Sequence, residues 1–309
     1  MFNKRADGKF VKGLDGVTKL GAVIMRSKEG SANYARVQIK TKTLDEFIAK
    51  RREEGIEYNY RDIVMGAIAR IYTLFPKYNR FIIAGKFFQR NYIDLAMMAH
   101  KDLRSGDDET AVKTRLTGYE TLGEIKEKFT ARLKVALEAL NGTDTTSDFL
   151  AKLPYWAMRG VVNIMRLADR WGLLSDKFMF EVSPFHCSAF LSDLKSLGLD
   201  ALYHHVYNFG NCGAFFTMGK EKLVPYVNQQ TGEITAEKII ELGVTLDDRV
   251  CDGLYNSRVL RTLKRILDNP ACLEERVNEK DIHKIKTYKE IKAEKKAAKL
   301  KKKLKKKKA

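Results

Sequence analysis

The chain has 309 residues, of which 44% are hydrophobic and 31% are charged, and this is enough for one large globular domain or two small ones. Its N-terminus is basic but is not followed by an apolar run, so the sequence does not predict a secretory signal. No stretch reaches the roughly eighteen consecutive apolar residues of a membrane span. We therefore expect a cytoplasmic protein.

The net charge of +18 is unevenly distributed along the chain. Residues 289–309 contain twelve lysines and two glutamates and carry +10, so the remaining residues carry +8. A lysine run usually stays solvated because like charges repel. The alternative interpretation is an electrostatic tether to nucleic acid or to an anionic membrane, which would hold the protein at the inner membrane surface.

The four cysteines have no spacing that is typical of a metal or disulfide framework. Cys187, Cys212, Cys251 and Cys272 are scattered without a CxxC pair. This distribution predicts neither a zinc site nor disulfides, and we expect reduced thiols and no metal.

The first half of the chain alternates strand and helix patterns after an N-terminal arm, residues 1–20, that is predicted to be irregular. Alternating apolar and polar residues indicate strands, and apolar residues at helical spacing indicate helices. In chain order the sequence predicts a strand at 34–40, a helix from Thr43 to Gly55 with a Thr43–Glu46 capping box, a helix from Asn59 to Pro76, a hairpin at 80–90, a strand at 93–99, a turn at 106–108, and a helix from Thr121 to Leu140 with a Thr121–Glu124 capping box.

The second half opens with a polar loop at 141–148 and an unusually apolar helical segment at 150–174. We interpret this segment as a core or subunit-interface helix, and the alternative is a helix that lies on a membrane surface. Strands are predicted at 187–193, 213–220 and 238–247, with a hairpin at Thr231-Gly232 and a final helix at 254–267. The order predicts an α+β sandwich over residues 21–278, with a mixed sheet covered by helices, followed by a Lys-rich tail at 279–309.

The most informative string is the strand, charged turn and helix at 244–275. The turn contains Asp248, Arg249, Asp252 and Gly253. It resembles the turn of the dihydrolipoamide acyltransferase catalytic domain, which has a histidine, an arginine, two variable residues, an aspartate and a glycine. Chloramphenicol acetyltransferase shares the histidine, aspartate and glycine of this pattern. Asp248 stands at the position of the family's catalytic histidine.

Two further segments extend the resemblance over roughly residues 20–275. Residues 190–220 are similar to the family's serine-containing strand and glycine turn, with Ser192 at the position of the serine. Residues 59–99 are similar to its helix, proline and strand pair. The resemblance implies a chloramphenicol acetyltransferase-like fold, in a bacterial branch without attached lipoyl domains.

The resemblance also implies an activity and an assembly. Members of the family transfer an acyl group from a coenzyme A thioester, as a co-substrate, to a small-molecule acceptor. They form homotrimers in which the histidine and the serine come from neighbouring subunits. Ser192 would then hydrogen-bond the tetrahedral intermediate, and Arg249 and Asp252 would form an ion pair that holds the turn.

The group that would remove the proton from the acceptor is left open by the sequence. An imidazole suits this task because it titrates near neutrality, whereas a solvated carboxylate has a pKa of about 4. Asp248 would need burial to act as the base. His204 or His205 could instead reach the site, and at most one of them would do so because neighbours in an extended chain face opposite ways. The third interpretation is a binding or scaffold protein that kept the fold and lost the chemistry.

Overall fold

The computed structural model describes residues 3–100, 109–140, 152–228, 230–285, 290–293 and 297. The predicted turn at 106–108, the predicted loop at 141–148 and most of the Lys-rich tail lie outside these residues, and the role of the tail stays a prediction. Among the described residues, no helix is both long and apolar enough to cross a membrane.

Ten strands and seven α-helices form the described part of the chain. The strands are β1 (Gly8–Phe10), β2 (Ala32–Lys40), β3 (Arg80–Ile83), β4 (Lys86–Arg90), β5 (Ile93–His100), β6 (Glu109–Leu116), β7 (Ala189–Asp193), β8 (Ala214–Met218), β9 (Lys222–Val227) and β10 (Ile234–Asp247). The helices are α1 (Gly16–Ile24), α2 (Thr41–Glu53), α3 (Tyr60–Leu74), α4 (Leu122–Leu140), α5 (Tyr155–Trp171), α6 (Asp176–Glu181) and α7 (Gly253–Asp268).

The strands form one large mixed sheet and one small sheet. The large sheet has the order β2-β10-β8-β7-β5-β6, and β9 pairs with the first half of β10. β7 runs parallel to both β5 and β8, and the other neighbours in this sheet are antiparallel. The small sheet has the order β1-β4-β3. The predicted α+β class with a mixed sheet is confirmed.

The main core lies between one face of the large sheet and the helices α2, α3, α4 and α7. Side chains in a strand alternate between the two faces of its sheet, so every second residue points into this core. On β10 these residues are Ile240, Leu242, Val244 and Leu246. On β7 they are Ala189 and Leu191.

The other face of the large sheet carries a smaller apolar cluster and a different kind of cover. Phe190 of β7 and Phe215 of β8 are stacked there, with ring centroids 5.3 Å apart. The chain from Leu199 to Gly213 has no regular secondary structure over most of its length, and its Val206 and Cys212 pack into this cluster. Ser192 and Thr217, two positions after the two phenylalanines, lie on the same face by strand alternation.

The N-terminal arm differs from its prediction because long-range pairing orders it. Residues predicted to be irregular form β1, which pairs with β4, and the start of α1, which Asp15 caps. Arg5 fixes the arm through hydrogen bonds to Asp7 and to Asp169 of α5. No local pattern predicts a three-residue strand whose partner lies about eighty positions away.

Two capping boxes were predicted and one is present. Thr121 and Glu124 exchange hydrogen bonds at the start of α4, as predicted. The Thr43–Glu46 prediction is wrong, because α2 begins at Thr41, directly after β2 ends, and no side chain caps it. A capping box that was not predicted begins α3, where Asn59 and Asp62 cap each other.

The apolar segment predicted at 150–174 forms α5, but it is not a core helix of this chain. Asp169 is its one buried residue. Tyr155, Trp156, Ile164 and Leu167 are all more than half exposed. The core interpretation is therefore wrong for a single protomer, while the interface and membrane-surface interpretations stay predictions.

Candidate functional site

A cavity of about 520 Å³ is lined from both faces of the large sheet, by Met97 of the main core and by Phe190 and Phe215 of the smaller cluster. Its floor comes from β5, β7 and β8, and its walls come from α3, α4 and the irregular chain after α6. Most of the lining is apolar. The polar and charged side chains in the lining are Arg61, Ser192, Asp193, Ser196, His204 and Tyr207.

Ser192 enters this cavity because of its place in β7. Leu191 points into the main core, so the residues on either side of it, Phe190 and Ser192, point to the opposite face. Ser192 pairs in register with Thr217 of β8. Its hydroxyl makes no hydrogen bond within the described part of the chain, so it is available to donate one to a ligand.

His204 lines the same cavity and has a defined proton arrangement. Its ring stacks on Phe215, with centroids 4.0 Å apart and an interplanar angle of 16°. Its Nδ1 lies 2.8 Å from the backbone carbonyl oxygen of His205. A carbonyl oxygen only accepts hydrogen bonds, so Nδ1 carries the proton of the neutral ring and Nε2 keeps a free lone pair. Nε2 is therefore the atom that can accept a proton.

His205 is an exposed neighbour that does not line the cavity. The chain is irregular here, so the expectation for an extended chain does not apply, and the two rings stack with centroids 4.6 Å apart. The carbonyl group of His205 nevertheless orients His204. Of the two histidines, His204 lines the cavity that Ser192 also lines.

Two glycines allow the segment that carries His204 to lie against the sheet. A Cβ on Gly243 of β10 would be 2.2 Å from the carbonyl oxygen of Leu202. A Cβ on Gly219 would be 2.3 Å from the backbone nitrogen of Ala201. Real Cβ atoms do not approach backbone atoms this closely, so any other residue would push the segment away. Thr217 fixes it further, because its hydroxyl donates to the carbonyl of Leu202.

Asp248 lies in the turn after β10, far from Ser192 of the same chain. Its backbone N–H donates to the carbonyl of Ser31 at 2.9 Å, and its carboxylate accepts from the amide of Asn33 at 3.3 Å. Ser192 aligns through Thr217 with Gly243, which precedes Asp248 by five residues. The strand geometry places Asp248 about 17 Å along the sheet and about 10 Å across it from Ser192.

The predicted ion pair between Arg249 and Asp252 is wrong. Arg249 pairs with Asp247 instead, with Nε 2.7 Å from Oδ1 and Nη2 2.6 Å from Oδ2, and both side chains are buried. Asp252 caps α7 by accepting from the N–H of Tyr255. Gly253 is the first residue of α7, and a Cβ there would meet nothing within 4 Å. Asp247 thus holds the turn in the role expected of Asp252.

Arg61 and Asp193 are charged residues of the cavity that the sequence reading did not identify. Arg61 lies in the first turn of α3, and Asp193 ends β7 directly after Ser192. Burial raises the pKa of Asp193, against the opposing effects of the Ser196 backbone N–H and the Arg61 charge. Adjacency to Ser192 could have pointed to Asp193. No local pattern could have pointed to Arg61.

A second serine and histidine lie together outside the cavity. The hydroxyl of Ser183 is 2.7 Å from Nδ1 of His186, and Nε2 of His186 is 3.5 Å from a carboxylate oxygen of Asp169. All three side chains are buried, and none lines the cavity of Ser192. Burial lowers the pKa of His186, against the effect of Asp169. This group connects α5 to the body of the protein.

Within the described residues, no group of three or more histidine, cysteine, aspartate or glutamate side chains is arranged to hold a metal ion. The four cysteines are free thiols. The polar side chains that line the cavity provide an imidazole, two hydroxyls, a phenol, a carboxylate and a guanidinium.

Comparison with known proteins agrees with the resemblance seen in the sequence. Residues 210–274, which contain β8 to α7, match the sequence model of the family described as 2-oxoacid dehydrogenases acyltransferase (catalytic domain). No curated protein sequence matches the chain. The matched segment includes Asp248.

Solved structures with a similar fold include dihydrolipoamide acetyltransferases and the core of a pyruvate dehydrogenase complex. A probable dihydrolipoamide acetyltransferase of Listeria monocytogenes is 15% identical, covers 84% of this chain and 95% of its own, and has a TM-score of 0.50. The cubic core of a pyruvate dehydrogenase multienzyme complex is 12% identical, and the match covers 86% of this chain and 94% of that chain, with a TM-score of 0.50. The Azotobacter vinelandii dihydrolipoamide acetyltransferase is 14% identical, and the match covers 86% of this chain and 94% of that chain, with a TM-score of 0.51. These likenesses show that the chain has the acyltransferase fold.

Proposed function

We propose that this chain is an acyltransferase that moves an acyl group from a coenzyme A thioester to a small-molecule acceptor, with His204 as the general base. The observation that carries the proposal is the shared cavity of His204 and Ser192, in which Nε2 of His204 is free to accept a proton. The family match at 210–274 supports the acyl-transfer class.

His204 would act on the acceptor. Its Nε2 would take the proton from the attacking hydroxyl or amine while that atom bonds to the thioester carbon. The proton would then pass to the sulfur as the carbon–sulfur bond breaks, so the imidazole would return to its starting state. The stack on Phe215 and the hydrogen bond to the His205 carbonyl would hold the ring in one orientation and one tautomer.

Ser192 would act on the thioester oxygen. Attack turns this oxygen into an oxyanion, which needs a hydrogen-bond donor at that moment. The Ser192 hydroxyl lines the cavity and has no competing partner among the described residues. A fixed strand position suits the role, because β7 is paired on both sides.

The assay for this proposal is release of free thiol from a panel of acyl-coenzyme A donors, with and without hydroxyl and amine acceptors. We expect Ser192→Ala to lower turnover by about a hundredfold or more. We expect His204→Gln to lower it by about a hundredfold to ten-thousandfold. His205→Gln keeps the carbonyl that orients His204 and is the matched control. Unchanged turnover in the first two variants would contradict the assigned site.

We also propose that the chain forms a homotrimer. α1 exposes Val17, Leu20, Val23 and Ile24, each more than half accessible, and α5 exposes a similar set. Contiguous exposed apolar surface is typical of an interface. A core with cubic symmetry, like the related pyruvate dehydrogenase core, contains three-fold axes. In a trimer, Asp248 would lie closer to the Ser192 of a neighbouring subunit than to its own.

Sedimentation equilibrium tests the assembly. We expect three times the chain mass of 35.3 kDa for the wild type. Val23→Asp would place a charge in the interface and yield monomers. Arg258→Asp, at an exposed position on α7, is the control and would leave the trimer intact. A wild-type mass of one chain would contradict the trimer.

The alternative function is a binding or scaffold protein that has lost catalysis. The substitution at Asp248 favours it, because that carboxylate is only half-buried and is engaged with Asn33. This alternative predicts no turnover with any donor in the panel. It also predicts that Asp248→His creates activity in an otherwise inactive protein.

A further inference from the structure

We propose that Arg61 binds a carboxylate of the acyl acceptor, so that the acceptor class is small hydroxy acids or amino acids. This inference rests on the proposed function, because it assigns the second ligand of the same cavity. Among the described residues, Arg61 has one ion pair, with Asp62 at 3.4 Å, and its other donors are available to a ligand.

The guanidinium of Arg61 has little to bind within the described protein. Its Nε is buried and has no hydrogen-bond partner. Its Nη2 reaches a carboxylate oxygen of Asp62 at 3.4 Å, which is at the outer limit of a hydrogen bond. The other carboxylate oxygen of Asp62 already accepts a hydrogen bond from the N–H of Asn59, in the N-cap of α3. The arginine therefore keeps unused donors at the wall of the cavity.

The surroundings hold this guanidinium in place without satisfying it. It lies over the ring of Phe129, 4.9 Å from the centroid, and 26% of the side chain is exposed. Asp193 lines the same cavity, but its carboxylate is not within ion-pair distance of Arg61 in the described structure. An arginine between an aromatic face and an open cavity is suited to a planar two-oxygen anion, which its guanidinium binds through two parallel hydrogen bonds.

The same cavity also suits the other end of such an acceptor. Burial raises the pKa of Asp193, and its carboxylate accepts a hydrogen bond from the N–H of Ser196 at 3.3 Å. It would accept a further hydrogen bond from an amine or hydroxyl and would repel a second acidic group. An acceptor with one carboxylate near Arg61 and an amine or hydroxyl near Asp193 and His204 matches this charge pattern.

The anionic group that would bind Arg61 belongs to the acceptor and not to coenzyme A. Arg61 lines the cavity that contains the reacting groups Ser192 and His204. The phosphates of coenzyme A are separated from its thiol by the whole pantetheine arm. When the thioester carbon is beside Ser192, those phosphates lie outside a cavity of about 520 Å³. A carboxylate on a small acceptor stays within reach of both Arg61 and His204.

The experiment measures acceptor binding without requiring turnover. Lactate, 3-hydroxybutyrate and serine are compared with their amides by ligand-observed NMR titration against the wild type, Arg61→Gln and Arg61→Lys. Arg258→Gln removes an exposed arginine on α7 and is the matched control. Acetyl-coenzyme A is titrated against the same four proteins. Thermal melting checks that each variant is folded.

We expect at least one acid to bind the wild type roughly ten- to hundredfold more tightly than its amide. Arg61→Gln should remove that preference, Arg61→Lys should keep part of it because the charge remains, and acetyl-coenzyme A should bind all four proteins alike. Acid-selective binding that needs Arg61 but is never followed by acyl transfer would support this site and contradict the proposed function.

Three results would overturn the inference. The first is equal binding of acids and amides, or no binding of any acid, by the wild type. The second is acid binding that is unchanged in Arg61→Gln. The third is a loss in Arg61→Gln that falls on acetyl-coenzyme A and not on the acids, which would make Arg61 a phosphate-binding residue of the donor.

Discussion

The turn at 247–253 and the segment at 199–207 both lie beside β10, and they are held in different ways. The turn is held by a buried ion pair within itself, between Asp247 and Arg249. The segment is held by the sheet beneath it, through Gly219, Gly243 and the hydroxyl of Thr217. The first lies in the segment that matches the family model and contains Asp248, the residue predicted at the position of the histidine. The second matches no expected catalytic pattern and carries His204.

The difference indicates that the conformation of the turn at 247–253 does not depend on which side chain stands at position 248. A turn can keep its fold when its catalytic side chain changes, because its stability comes from neighbouring residues. The arrangement supports a base that comes from the segment and reaches Ser192 from within one chain. The following substitutions test how the two regions are held, in order of decreasing effect.

Asp247→Asn should have the largest effect on stability. The side chains of Asp247 and Arg249 are 2% and 7% exposed, so the substitution leaves a buried guanidinium without its carboxylate. We expect a loss of about 3–5 kcal/mol in the free energy of unfolding, measured with urea. Asp248→Asn, one position later, should cost less than about 1 kcal/mol. Equal effects at the two positions would contradict the ion pair as the anchor of the turn.

Gly243→Ala should perturb the segment rather than the turn. The new methyl group would meet the carbonyl of Leu202 and the hydroxyl of Thr217. Overpacking of this kind costs about 1–3 kcal/mol, and displacement of His204 should also lower turnover. Gly160→Ala in α5 is the control, because its methyl group meets nothing and should stabilise the helix by about 0.5–1 kcal/mol. Normal turnover in Gly243→Ala would show that the segment does not position the base.

Thr217→Val should have the smallest effect of the three. It removes the hydroxyl that donates to Leu202, and we expect a loss of about 1 kcal/mol together with a modest fall in turnover. Thr245→Val is a close control, because the buried hydroxyl of Thr245 has no partner in the described structure and its removal should be neutral or stabilising. Equal losses of stability in Thr217→Val and Thr245→Val would contradict a stabilising role of the hydrogen bond from Thr217 to Leu202.

Much of the fold could be predicted from local patterns. The hairpin at 80–90, the helix after Asn59 and the strand, turn and helix at 244–275 are close to their predicted bounds, because periodicity and turn residues determine them. The pairing inside the turn could not be predicted. Asp247 and Asp252 both lie within reach of Arg249 in sequence, and only the burial of Asp247 against Ser31 selects between them.

The site depended on contacts between distant parts of the chain. The position of Ser192 followed from its motif and from strand alternation. His204 was one of several open candidates, because its orientation depends on Phe215 and on space above Gly243, neither of which is near it in sequence. Arg61 is distant from Ser192 by more than a hundred positions and meets it only in the folded cavity.

The central claim is that the base is His204 and not Asp248. It is tested most directly by comparing kcat/KM for acyl transfer in His204→Asn and Asp248→Asn, with the same donor and acceptor and with both variants confirmed as folded. We expect His204→Asn to lose a factor of about a hundred or more and Asp248→Asn to stay within a few fold of the wild type. Loss of turnover in Asp248→Asn, with His204→Asn still active, would contradict the account.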